Sequence, residues 1–78
     1  MITVRYFAAA AEAAGVDSEQ LPAGSAAQVR DAMVAANGVA LDRVLGRCAL
    51  LADGTRVEGD DVVPAGVTLD VLPPFAGG

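Results

Sequence analysis

The residues best suited to chemistry stand together at the end of the sequence. Leu72-Pro73-Pro74-Phe75-Ala76-Gly77-Gly78 passes from a hydrophobic segment through two prolines to two glycines. Consecutive prolines favour an extended backbone. Phe75 is a single large apolar group able to anchor the run on a partner. Ala76-Gly77-Gly78 is almost free of side chains. Such a run fits a tunnel too narrow for Cβ atoms and leaves the terminal acyl carbon open to attack. A free α-carboxylate titrates near ~3.5 and is ionised in the cell. An ionised carboxylate is a poor electrophile and needs a leaving group first. An acyl-adenylate made from ATP is the usual solution. The chain has no phosphate-binding loop, so a separate adenylating enzyme is expected.

The other candidate groups are few. There is no histidine, which removes the commonest general base and transition-metal ligand. This argues against catalysis by the chain alone. The single cysteine, Cys48, rules out an internal disulfide framework. Within Arg47-Cys48-Ala49-Leu50-Leu51 it reads as core rather than as a relay thiol. Asp53, Glu58, Asp60 and Asp61 lack the spacing of a calcium loop and read as a solvated loop, so no metal site is expected. The formal net charge is -5, ten acids against five arginines and no lysine. Nucleic acid is therefore a poor partner, and a basic protein surface a better one. Met1 to Ala14 lacks the apolar core of a signal peptide, and no run is long enough to span a bilayer. A cytoplasmic chain with no membrane partner is expected.

These groups must be positioned by a single small domain, since 78 residues allow no more. Ile2-Thr3-Val4-Arg5-Tyr6-Phe7 alternates with period two and is rich in β-branched residues, which predicts a strand. Ile2, Val4 and Tyr6 share one face, and Thr3, Arg5 and Phe7 the other. Ala8 to Ala14 predicts a short helix ended by Gly15. A weak strand follows over Ser18 to Leu21. Ser25-Ala26-Ala27-Gln28 is a capping box. It opens a helix to about Ala36, with Val29, Ala32, Met33 and Ala36 on one face, stopped by Asn37-Gly38. Leu41 to Leu45 suits one helical turn. Arg47 to Ala52 predicts a strand, Asp53-Gly54 a hairpin turn into Thr55-Arg56-Val57, and residues 59–66 a loop. Val67 to Leu72 alternates again as the last strand, with Val67, Leu69 and Val71 inward, and Pro73-Pro74 stops the sheet.

The first and last strands are the most hydrophobic. Paired side by side they run parallel at the centre of a mixed sheet, with one main helix packed across it. That is an α+β, β-grasp (ubiquitin-like) fold. A ferredoxin-like alternative needs a second long helix near the end, and the sequence offers none. The expected division is a domain over 1–72 and an extended, flexible tail over 73–78. Phe7, with Leu72 and Phe75, is expected to form an exposed docking patch for a partner. The competing expectation packs Phe7 under the short helix.

The opening Ile2-Thr3-Val4-Arg5-Tyr6-Phe7-Ala8, the alanine-rich helix, the capped helix and the closing Leu72-Pro73-Pro74-Phe75-Ala76-Gly77-Gly78 together resemble the MoaD group of the MoaD/ThiS family, the small sulfur-carrier subunits of molybdopterin synthase. The resemblance spans the whole chain. It implies that an E1-like enzyme adenylates Gly78, next to Gly77, using ATP, and that the chain itself binds no cofactor. A persulfide donor then gives a C-terminal thiocarboxylate. It also implies that Leu72, Pro73, Pro74, Phe75 and Ala76 enter the large subunit of the synthase, where sulfur passes to a cyclic pyranopterin precursor. Sulfur carriers for thiamin thiazole or cysteine, and ubiquitin-like modifiers joined to lysines, share the same ending and stay open as alternatives.

Overall fold

Period-two alternation sets the centre of the molecule. In the computed structural model, which describes residues 1–74, β1 (Ile2–Tyr6) buries Ile2, Val4 and Tyr6 as expected. α1 (Ala9–Ala14) follows and ends at Gly15. With φ 77 this glycine sits in the left-handed region, where its N–H donates to the Ala11 carbonyl. β2 (Ser18–Leu21) then returns antiparallel to β1.

β3 (Gly24–Ser25) leads into α2 (Ala26–Asn37). The capping box is present on both sides. Ser25 Oγ accepts the Gln28 N–H at 3.1 Å, and Gln28 Oε1 accepts the Ser25 N–H at 2.9 Å. Ala26, Val29 and Met33 are buried on the sheet, and Ala32 is half-buried. Ala36, expected on the same face, is exposed, because Asn37 rather than Ala36 stands four residues after Met33.

α3 (Val39–Leu45) is longer than the single turn expected and buries Leu41 and Leu45. The next strand starts later than its apolar run suggests. The amides of Arg47 and Cys48 donate to the carbonyls of Val44 and Leu45 at 3.0 and 3.1 Å. They extend the winding of α3, so β4 begins only at Ala49 (Ala49–Ala52). Asp53 and Gly54 both take positive φ, 47 and 87, as a type I′ hairpin turn requires. β5 (Thr55–Val57) pairs back on β4.

The stretch read as loop contains β6 (Val62–Val63), which pairs with β3 in a separate two-stranded sheet. Beside it, the carbonyls of Asp61 and Gly59 accept the amides of Ala26 and Ala27 at 2.8 and 2.9 Å. The segment thus satisfies first-turn amides of α2 that have no partner within the helix.

β7 (Thr68–Leu72) lies between β1 and β4 in the order β2-β1-β7-β4-β5. It is parallel to β1, from Thr3 opposite Thr68 to Tyr6 opposite Val71. This is the expected α+β, β-grasp (ubiquitin-like) architecture, a mixed sheet crossed by α2. Leu69, Val71, Ile2, Val4, Met33 and Leu41 are fully buried in one core. Each such large apolar side chain contributes about 1.5–3 kcal/mol over an exposed one.

Candidate functional site

Parallel β1 and β7 end at the same edge of the molecule. There β1 turns into α1 while β7 leaves the sheet. The Phe7 N–H donates to the Val71 carbonyl at 3.3 Å, one residue before β7 ends at Leu72. Pro73 is half-buried and Pro74 exposed. Neither has an N–H to continue the ladder, so pairing stops where the sequence expected. Phe75, Ala76, Gly77 and Gly78, the core of the expected site, lie outside the described residues.

Phe7 follows Tyr6, the last β1 residue paired with β7, opposite Val71. It is 38 % exposed and lines a depression with Ala8 and with Ala11 of α1. The Arg5 guanidinium stands 5.5 Å from its ring centroid. Arg5 is itself held by Asp70 through two bonds, Nε to Oδ1 at 2.6 Å and Nη2 to Oδ2 at 2.8 Å. The hydrogen bond and charge of Asp70 push the arginine pKa still higher, so the cation is fixed beside the ring. Of the expected docking patch, Phe7 and Leu72 each stand one residue beyond the last β1–β7 pair, Tyr6 opposite Val71.

A network the sequence did not reveal holds this corner from beneath. The Tyr6 hydroxyl donates to Glu19 Oε2 at 2.6 Å, and Asn37 Nδ2 donates to the same oxygen at 2.6 Å. Asn37 also reaches the Met33 carbonyl at 3.0 Å. The end of α2, β2 and the last residue of β1 are thereby tied together just before Phe7. Ala8, the next residue, has φ 50 and ψ −125, a strained backbone for a residue with a Cβ.

On the other side of the exit, Ala9, Arg43, Val44, Arg47, Pro73 and Pro74 line an open groove of about 410 Å³. The usable sequence signal for Arg43 and Arg47 was their spacing of four, although Arg47 stands in the turn just after α3. Cys48 lies nearby, half-buried, with its thiol donating to the Val44 carbonyl at 3.3 Å. Burial pushes its pKa up, against a smaller opposing influence of Arg30. Two of the acids weighed as metal ligands hold backbone amides instead. Asp61 accepts the Glu58 N–H at 3.0 Å, and Asp53 accepts the Thr68 N–H at 3.1 Å. No helix among the described residues is long and apolar enough to cross a membrane.

The sequence profile of the ThiS family matches residues 4–78. No curated protein matches the sequence significantly. Among solved structures, SAMP1 from Haloferax volcanii aligns with a TM-score of 0.84 and 27% identity over 99% of this chain and 98% of its own. A second structure, small archaeal modifier protein 1 of H. volcanii, gives a TM-score of 0.81 and 26% identity over 95% and 97%. Subunits 1 and 2 of the molybdopterin-converting factor from Helicobacter pylori form a complex whose matching chain gives a TM-score of 0.72 and 20% identity over 99% and 97%. At that identity the last likeness concerns the fold alone.

Proposed function

The chain belongs to the ThiS family as a sulfur carrier of the ThiS/MoaD type, and on that premise we propose that it delivers sulfur for molybdopterin synthesis from Gly78. The family match runs through Gly78, and this is the observation that carries the reading. The central strand β7 supports it, because it ends at Leu72 and only Pro73 and Pro74 separate the sheet from the Phe75-Ala76-Gly77-Gly78 ending.

The chemistry follows from a carboxylate that must be activated. An E1-like enzyme joins the Gly78 carboxyl to AMP, releasing pyrophosphate from ATP. A persulfide anion displaces AMP and leaves an acyl disulfide. A thiol reduces that bond and frees the thiocarboxylate. The tail then enters the large synthase subunit, and the sulfur attacks the pyranopterin precursor. Gly77 and Gly78 let the acyl carbon pass where a side chain would not, while Phe7, Leu72, Pro73, Pro74, Phe75 and Ala76 dock. A large subunit as partner accords with the H. pylori complex, in which subunits 1 and 2 of the converting factor are assembled.

A second reading, in which Gly78 is joined to amines of target proteins, is favoured by the likeness to a small archaeal modifier protein. Both readings share activation and differ in product. The test is the intact mass of the chain after incubation with ATP, an E1-like enzyme and a persulfide donor. A gain matching replacement of one oxygen by sulfur, absent when Gly78 is deleted, supports the carrier. Sulfur transfer on adding the large subunit and the pyranopterin precursor supports the molybdopterin assignment. Higher-mass conjugates with added target protein and no sulfur adduct favour the modifier, and an unchanged mass with a competent activating enzyme overturns the carrier.

A further inference from the structure

Positive charge is scarce in this chain and unevenly placed. Of five arginines, Arg5 pairs with Asp70 and Arg30 with Asp42 at 3.4 Å. Arg43 and Arg47 make no ion pair among the described residues, yet both line the groove where Pro73 and Pro74 leave the sheet. Glu12 and Asp17 flank a separate depression. The root of the tail thus lies in a groove whose charged lining is cationic, from Arg43 in α3 and Arg47 just beyond it.

We propose that Arg43 and Arg47 dock acidic side chains at the mouth of the activating enzyme's tail tunnel and so fix the rotation of the domain about its tail. The inference rests on the carrier or modifier reading, since both require that enzyme. Charge complementarity selects the occupant: of the three arginines without an ion pair among the described residues, Arg56 stands apart on β5 while Arg43 and Arg47 share one groove, and on an otherwise acidic protein that groove calls for carboxylates. Ala9, Val44, Pro73 and Pro74 supply an apolar floor, which strengthens the two charge contacts by excluding water.

The test is ATP–pyrophosphate exchange by the E1-like activating enzyme encoded in the same genome, with this chain as varied substrate. The variants are R43E/R47E, R43K/R47K and, as a control on edge strand β5, Arg56→Glu. Thermal melts establish that each folds. The expected result is a rise in KM of about tenfold or more for the charge-reversed pair with kcat nearly unchanged, and a weaker dependence of KM on salt. The lysine pair should stay close to the native chain. A charge-reversed KM equal to the native value, or no higher than that of Arg56→Glu, overturns the docking role while leaving the carrier reading intact. If the native chain supports no exchange, both fall.

Discussion

Ala8 is held where a Cβ is least welcome. Its φ of 50 with ψ −125 costs about 1–3 kcal/mol for a non-glycine residue, while glycine there loses about 0.5–1 kcal/mol of chain entropy on folding. Ala8→Gly should therefore stabilise the protein by about 1 kcal/mol, read as a higher urea midpoint at unchanged slope. A midpoint at or below the native value would mean that the corner stores no strain. Tyr6, two residues earlier, gives a second prediction. Burial, then the hydrogen bond to Glu19 and its negative charge, raise the phenol pKa well above its ordinary value, with Asn37 opposing. The unfolded chain releases this proton near pH ~10, while the folded chain retains it. The contribution to stability is thus complete below about pH 10 and disappears as pH climbs toward the folded value. Melting temperatures from neutral pH to about pH 11 should fall more steeply for the native chain than for Tyr6→Phe. Parallel curves would remove Tyr6 as the source. Neither feature was legible in the sequence. Ala8 looked like the start of a helix, and the partners of Tyr6 come from β2 and the end of α2, which only folding brings together.

The elements were easier to read because their signals are local. The reciprocal bonds of Ser25 and Gln28 open α2, and Ser25→Ala should cost about 1 kcal/mol in chemical denaturation. A loss below a few tenths would mean that the neighbouring carbonyls of Asp61 and Gly59 suffice for that turn. Asp53-Gly54 likewise announced its hairpin, because few residue pairs tolerate two positive φ values. Signals failed where a segment's structure depends on something distant. Val62 and Val63 form a strand only because Gly24 and Ser25 lie alongside. Arg47 and Cys48 belong to an apolar run, yet their amides are taken by the end of α3. At the candidate site, the sequence marked Phe7 and Leu72 through the alternation of the first and last strands. Arg43 and Arg47 escaped because their partner in forming the groove is the root of the tail, some 30 residues further along the chain.

At the scale of the whole molecule, parallel β1 and β7 separate the two ends of the chain. Met1 lies five residues before Tyr6, and Tyr6 is level with Val71, so the first residue stands about 17 Å of strand length from the tail exit. The six residues after Leu72 span at most about 20 Å, and the first two are prolines leaving the sheet. Turning back to reach Met1 would use nearly the whole length against that initial direction, which disfavours ring closure. Lysine is absent, so no side-chain amine is available on any copy of the chain. An activated Gly78 acyl group should consequently find little to attack it on its own kind, and it should persist until a partner or water takes it. The chain with a C-terminal thioester, prepared by intein thiolysis, tests this without any activating enzyme. Concentrated and incubated at mildly alkaline pH, it should hydrolyse while remaining monomeric by denaturing mass analysis. Arg56→Lys places an amine on exposed β5 at unchanged charge and should produce amide-linked multimers as thiol is released. Multimers of the native chain joined through residues other than Met1, or none from the Arg56→Lys variant, would show that the missing lysines do not govern self-acylation.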